Sequence, residues 1–494
     1  MSLSVLLAVA FVGAALYYVC PLRFRWVLLL LLSYGFYLTC GVSALPFILI
    51  TTLTTWAGAL KIGRIGESGK AYLHEHKAEL TAEEKKARKA KTRSAQRIWF
   101  FAVLLLNFGV LAVLKYLNPV MAWGASLTGK DAPALGLVLP LGISFYTFQS
   151  MGYLIDVYNA KYAPEKNPAK FALFVSFFPQ LIQGPIARFD QLESQLVEPH
   201  RFDLDNIERG LLLMLWGLFK KKVIADRALP LVEAVFGNQS AYGGAVIVVG
   251  VLFYSLQQYA DFSGGIDISR GVSQLFGIDL AENFRRPYFS RNISEYWHRW
   301  HITLGAWFRD YVYVPLGAGR RGEKRKAFNV MAVYTLSGLW HGAALKYVAW
   351  GMLNGALQVV EGILPQKRPK RLVKLHHVVN VLWTDFLILI TMLIFRATSM
   401  SAALGMLWRI PTAWRAPALA TGFSGMQALC LGVCMAILFA IELLHEKRKT
   451  LTQLTDRLPL LARGALYVLA ILAIAVFGIW GPGYSAQAFI YFQF

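Results

Sequence analysis

Apolar runs recur along the whole chain, and the short segments between them gather most of the charge. A chain built this way folds in hydrocarbon, where each run must bury its side chains and close its own backbone hydrogen bonds. Residues are 56% hydrophobic and only 16% charged, against about 25% charged in ordinary soluble domains. The fold expected is an all-α polytopic membrane protein, in one membrane domain spanning residues 1–494. Net charge is +22, which in a soluble protein would point to nucleic acid. Here the cations fall between apolar runs, as positive-inside topology and contact with anionic headgroups demand. Membrane lipids are therefore the expected partner, and nucleic acid is not.

Within that domain the pattern divides the chain. Residues 1–60 read as three N-terminal spans, Leu3–Cys20, Trp26–Cys40 and Ser43–Leu60, the first retained because it lacks a basic leader and a small-residue cleavage site. Residues 61–97 carry eleven Lys/Arg and five Asp/Glu and read as a basic cytoplasmic helix lying near the membrane. The next part, 98–364, is the irregular core. It holds spans at Ile98–Tyr116 and Leu135–Val157, and a buried span at Gly243–Leu256. Phe171–Ile182 and Gly210–Phe219 are too short to cross and read as re-entrant or interfacial, the second stopped by Lys220-Lys221-Lys222. Residues 365–494 return to conventional spans at Val378–Phe395, Met426–Leu444 and Ala462–Trp480. Arg23/Arg25, 61–97 and 161–170 share one side by parity, which places them in the cytoplasm and the N-terminus outside. Lys367–Arg371 and His445–Lys449 fall on that side too. No internal repeat supports an inverted-repeat transporter. The four cysteines (Cys20, Cys40, Cys430, Cys434) lie inside apolar runs and read as packing residues, with no disulfide framework and no metal site.

Polar groups inside a membrane protein cost several kcal/mol unless satisfied, so their location directs the search for function. They concentrate between about residues 139 and 355. His341, in Leu336–Ala344, lies near the centre of an apolar stretch from Ala327 to Leu364 that is long enough for two short spans. Gly338 and Gly342 bracket it, allowing a backbone or a ligand to come close. It is either a proton acceptor for a substrate hydroxyl or a core histidine bonded across helices. A second stretch, Ile293–Gly317, is rich in Trp and Tyr. An interfacial aromatic belt accounts for the rings but not for His301 between Trp300 and Ile302. Its aromatic residues form no single helical stripe. A third, Tyr259–Arg270, holds Asp261, Asp267 and Arg270, which read as pairing internally, since no metal-ligand spacing is present.

Taken together these stretches resemble the membrane-bound O-acyltransferases (MBOAT), on the branch that O-acetylates alginate in bacteria. The matching pieces, in the family's order, are LPLGISFYTFQSMGYLIDVY from Leu139, FPQLIQGPIARF from Phe178, Asp261–Gly265, ENFRRPY from Glu282, Ser294–Gly317, GLWHGA from Gly338 and the terminal FIYFQF. Singly each is modest; as a set they are specific. His298 stands where an arginine is expected on that branch, and Tyr296 where a phenylalanine is, which leaves the acceptor polymer open.

The resemblance implies a ring of tilted transmembrane helices with re-entrant segments around a central catalytic tunnel, in a multi-pass protein of the bacterial cell membrane. It implies His341 as the catalytic histidine and His301 as the second active-site histidine. Ser337, Trp340, Trp297, Arg309 and Asp310 are the substrate-binding candidates beside them. No cofactor is implied; the donor is a thioester, acetyl-CoA or another acyl thioester, attracted by Arg285, Arg286, Arg320, Arg321, Lys324, Arg325 and Lys326. The implied partners are a polysaccharide acceptor and an extracytoplasmic serine-type (SGNH-like) acetyltransferase that passes the acyl group on. D-alanyl transfer to teichoic acid from a carrier-protein thioester and a non-catalytic polysaccharide transporter are the alternatives.

Overall fold

The computed structural model describes residues 3–129, 131, 135–137, 139–364, 373–414, 423–447, 453 and 455–480. The basic run Lys367–Arg371, Arg448-Lys449 and the terminal FIYFQF lie outside the described residues. Helices carry the described chain; its single β-bridge joins Phe284 to Trp300. Two compact units form, one from the residues up to Leu204 with Ser273–Leu280, the other from Asp205–Val272 with the residues from Ala281 on.

The first unit contains α1 (Leu3–Val19), α2 (Arg25–Leu38), α3 (Leu45–Glu75), α4 (Ala82–Thr128), α5 (Ile143–Tyr158), α6 (Pro168–Ser176), α7 (Phe178–Gln183) and α8 (Phe189–Val197). Three sequence expectations change here. The basic stretch 61–97 is helical, as expected, but it is not one separate helix. It is the outer ends of α3 and α4, joined by a tight turn in which Thr81 caps α4 and Glu84 returns the bond to Thr81 N–H at 2.8 Å. Arg25, read as a loop residue between the first two spans, is the first residue of α2 and buried, and its guanidinium donates to the carbonyls of Cys20 (3.1 Å), Tyr18 (3.0 Å) and His200. Leu135–Val157 is helical only from Ile143, because Gly142 takes φ 69° and a Cβ there would stand 2.7 Å from the Leu181 carbonyl oxygen. α5 has 16 residues, about 24 Å at 1.5 Å per residue, and most of them are buried. The short segment Phe171–Ile182 is broken at Phe177, which the sequence did not show, and is buried, with the Phe178 N–H donating to the Ser33 hydroxyl at 3.2 Å.

The second unit contains α9 (Leu204–Leu218), α10 (Asp226–Gly237), α11 (Gly244–Gln274), α12 (Ile293–Arg299), α13 (Ile302–Phe308), α14 (Glu323–His341), α15 (Leu345–Ile363), α16 (Val373–Arg396), α17 (Met400–Thr412), α18 (Gly425–Glu446) and α19 (Leu460–Phe477). Six helices of the described chain, α3, α4, α11, α16, α18 and α19, are long and apolar enough to cross a membrane. That makes the all-α polytopic expectation correct. The stretch Ala327–Leu364 is the expected pair of short helices, α14 and α15, folded into a hairpin.

The three lysines after Phe219 do not stop a helix, as their charge suggested. The chain continues through π-helical turns at Phe219–Ala225 into α10. Lys220 Nζ meets Asp267 at 2.6 Å and Ser263 at 2.9 Å; Lys221 meets Asp226 at 3.0 Å and also Asp261; Lys222 meets Asp226 at 2.9 Å. Asp267 also pairs internally with Arg270 at 3.8 Å. Glycine makes this pairing possible. A Cβ on Gly217 would lie 2.5 Å from the Gly264 carbonyl, and one on Gly271 2.5 Å from that of Gly210, so α9 and α11 touch backbone to backbone. The α14–α15 hairpin closes the same way, with a Cβ on Gly338 only 2.3 Å from the Tyr347 carbonyl oxygen.

Removing one member of a buried ion pair strands its partner's charge. Lys221→Met is expected to destabilise the detergent-solubilised protein by about 3–5 kcal/mol, and Lys221→Met with Asp261→Leu to recover most of the loss. Gly338→Val forces the hairpin apart and should lose about 1–3 kcal/mol or more by overpacking. Gly109→Ala, where a Cβ meets nothing within 4 Å, should leave the thermal midpoint unchanged. Thermal unfolding of the purified variants reads all three.

Candidate active site

The aromatic stretch after residue 290 forms no single stripe because it is not one helix. α12 ends at Arg299, α13 starts at Ile302, and His301 between them takes φ 47°, ψ 52°. A left-handed conformation at a residue other than glycine costs of order 1–3 kcal/mol and persists only where the surroundings impose it. The surroundings are explicit. Asn292 caps α12 through the Glu295 N–H at 2.7 Å, and the Glu361 carboxylate of α15 accepts the Ile293 and Ser294 N–H groups, each at 3.0 Å. On the other flank Arg285 N–H donates to the Arg299 carbonyl at 2.9 Å and Ile302 N–H to that of Asn283 at 3.0 Å. The Arg299 side chain reaches Glu295 at 2.7 Å and both oxygens of Glu446 at 3.0 and 3.1 Å. Burial opposes ionisation of Glu295, but its bonds to Arg291 and the charge of Arg299 win and hold its pKa below the usual carboxylate value.

The other histidine is fixed by the hairpin. His341 is the last residue of α14, where Gly338 sits against the α15 backbone and Gly342 leaves room for the Tyr347 ring. The glycines thus serve the close approach of protein, not of a ligand. Aromatic rings wall the imidazole: Trp340 at 4.8 Å, Phe395 at 5.0 Å and Trp350 at 5.2 Å between ring centroids. The Trp340 indole also stands 6.2 Å from the His301 ring, so one side chain touches both imidazoles. Both histidines are buried, at 4% exposure for His301 and 8% for His341. Burial pushes the His301 pKa down to about 3, so the ring is neutral at any physiological pH.

A cavity of about 1080 Å³ runs past both, at the upper end of the ~300–1,000 Å³ range of small-molecule sites. His301, His341, Ser337, Trp297 and Arg309 line it; Trp340 and Asp310 are not among its lining residues. Trp340 backs the two histidines, and Asp310 binds the Arg309 guanidinium at 2.8 Å. Of the expected donor-attracting cations, Lys324 and Lys326 line the cavity, joined by Arg291 and Arg309. Arg285 and Arg286 are not among the lining residues and pair with Glu282 and Glu446, at 2.6 and 2.7 Å; on the cavity, Arg291 pairs with Glu295 at 3.0 Å and Lys326 with Glu323 at 3.3 Å. Sequence reasoning passed over Trp350, Glu361 and Asn283. Trp350 lies in an apolar run with nothing to mark it, whereas Asn283 stands inside ENFRRPY, a motif noted without a role. The indole nitrogens of Trp297 and Trp350 are buried on the cavity wall with no hydrogen-bond partner among the described residues. Buried donors of that kind call for a functional explanation. Two histidines, two available N–H donors and a basic rim on one cavity are the parts of a group-transfer site.

Known sequences agree. The model of the membrane-bound O-acyltransferase family matches residues 165–404, which include both histidines. A probable alginate O-acetylase AlgI of Azotobacter vinelandii is 35% identical over 403 residues, 80% of this chain and 73% of the relative. A peptidoglycan O-acetyltransferase of Helicobacter pylori is 32% identical, over 65% of this chain and 66% of its own length. A teichoic acid D-alanyltransferase of Streptococcus thermophilus is 29% identical, over 46% and 58%. The chain belongs to the membrane-bound O-acyltransferase family.

Proposed function

We propose that this protein is an O-acetyltransferase that takes an acetyl group from a cytoplasmic thioester, with acetyl-CoA as the donor, and carries it across the membrane for O-acetylation of an extracytoplasmic polysaccharide. The observation that carries the reading is the meeting of His341 and His301 on one long cavity with a cationic rim and an aromatic interior. A cavity of that size suits an extended thioester better than a small anion. Arg291, Arg309, Lys324 and Lys326 offer charge to the donor's phosphates.

In this mechanism His341 acts as general base. The acceptor oxygen bonds to the thioester carbonyl carbon as His341 takes its proton. The tetrahedral oxyanion is met by the indole N–H groups of Trp297 and Trp350. The C–S bond then breaks, and His341 returns the proton to the leaving thiolate, so that thioester and alcohol become ester and thiol with nothing else consumed. A serine-type transferase outside the membrane is the natural recipient of an acyl group delivered this way, and an exopolysaccharide its destination.

General-base catalysis contributes about 10²–10⁴-fold. His341→Ala in lipid nanodiscs should therefore lower transfer from labelled acetyl-CoA by about that factor, with insertion and thermal midpoint unchanged. Near-normal transfer by the variant would refute the role of His341. An intact thioester in the wild type, with label moving only when a carrier-protein thioester is supplied, would point to D-alanyl chemistry; an intact thioester with either donor would point to transport alone.

A further inference from the structure

Which nitrogen of a histidine carries the proton decides whether that face of the ring gives or accepts a hydrogen bond. At His301 the chain itself answers. Asn283 is buried, with 1% exposure. Its Oδ1 lies 3.0 Å from the Thr303 backbone nitrogen, 3.0 Å from the Thr303 hydroxyl and 3.3 Å from His301 Nδ1. A backbone N–H only donates. The amide atom facing Thr303 is therefore the oxygen, and the orientation that would turn the NH₂ group toward it sets donor against donor. An amide oxygen in turn only accepts, so His301 Nδ1 must hold a hydrogen to share that contact. A neutral imidazole has one N–H; the lone pair is then on Nε2. Desolvation keeps this ring neutral.

We infer that Asn283 is a positioning residue that locks His301 as the Nδ1–H tautomer, so that His301 meets the substrates as a hydrogen-bond acceptor through Nε2. The backbone makes the lock stiff. Asn283 also accepts from Ile302 N–H through its carbonyl, and the Phe284–Trp300 bridge follows directly. One residue thus fixes the ring's proton and, with its neighbours, the left-handed hinge that carries the ring. The lock fits the division of labour in the acyl-transfer reading on which it rests. An acceptor at Nε2 orients a hydroxyl and gives nothing to an oxyanion, so that task falls to the indole donors.

The test separates the lock from the reaction. Full-length protein labelled with ¹⁵N-histidine in nanodiscs gives the His301 signal by difference from His301→Gln. The wild type should show the proton on Nδ1, and Asn283→Leu should move it wholly or partly to Nε2. A wild-type proton on Nε2, or an Asn283→Leu spectrum still showing Nδ1–H, overturns the inference. In transfer assays Asn283→Leu should lose at least about tenfold in turnover while the donor KM moves less than about twofold. Asn283→Asp, which keeps an oxygen facing Nδ1, should recover most of the turnover; equal losses in Leu and Asp variants would make the residue merely structural. If the wild type transfers nothing from acetyl-CoA yet shows the Asn283-dependent tautomer, the donor assignment fails and the lock stands.

Discussion

Hydrocarbon offers no hydrogen bonds, so every polar group taken into a membrane protein must find its partner within the protein. Much of the described structure meets this demand by pairing. Arg25 meets three carbonyls, Ser33 meets Phe178 N–H, and the lysines after Phe219 meet carboxylates of α10 and α11. Such pairs bring little net stability compared with apolar packing, but they admit few alternative registers. Glycines at the crossings supply the proximity that the pairing needs. Among the buried polar atoms left without a partner in the described residues, the indole nitrogens of Trp297 and Trp350 line the cavity.

The candidate site depends on a rigid frame built from ordinary parts. His301 sits at a strained hinge clamped from both sides, by helix caps in front and by a short paired strand segment behind. His341 ends a helix held by backbone contact between glycine-bearing faces. Neither histidine relies on a flexible loop for its position. Proton transfer and oxyanion stabilisation lose effect when a reacting group drifts by an ångström, and both anchors oppose such drift.

Much of this was legible in the sequence. Apolar runs disclosed the class of fold, the two short helices of Ala327–Leu364 and the shortness of Phe171–Ile182. The concentration of polar residues in the middle of the chain located both histidines. What could not be read was the identity of partners. Lys220-Lys221-Lys222 look like a solvated stop in one dimension, because two of the three carboxylates that neutralise them, Asp261 and Asp267, lie forty or more residues downstream. Arg25 looks like a loop charge for the same reason: its carbonyl partners are invisible in a string of letters. The left-handed turn at His301 was hidden because histidine is a far weaker signal for positive φ than a glycine such as Gly142. Asn283 stood in a recognised motif, but its purpose exists only once Thr303 and His301 have folded around its oxygen.

The division of the chain into units also bears on its biogenesis. The first unit is complete only when Ser273–Leu280 has joined it, bringing Phe276 against Tyr17 and Phe178 and Asp279 N–H to the Gln195 amide. A ribosome reaches those residues only after making Asp205–Val272 of the other unit, several seconds later at ~5–20 residues per second. The N-terminal helices must therefore wait in the bilayer with a gap in their packing, while segments rich in buried lysine and aspartate insert behind them. That interval is where insertion is most open to error, and where a membrane chaperone would have something to hold.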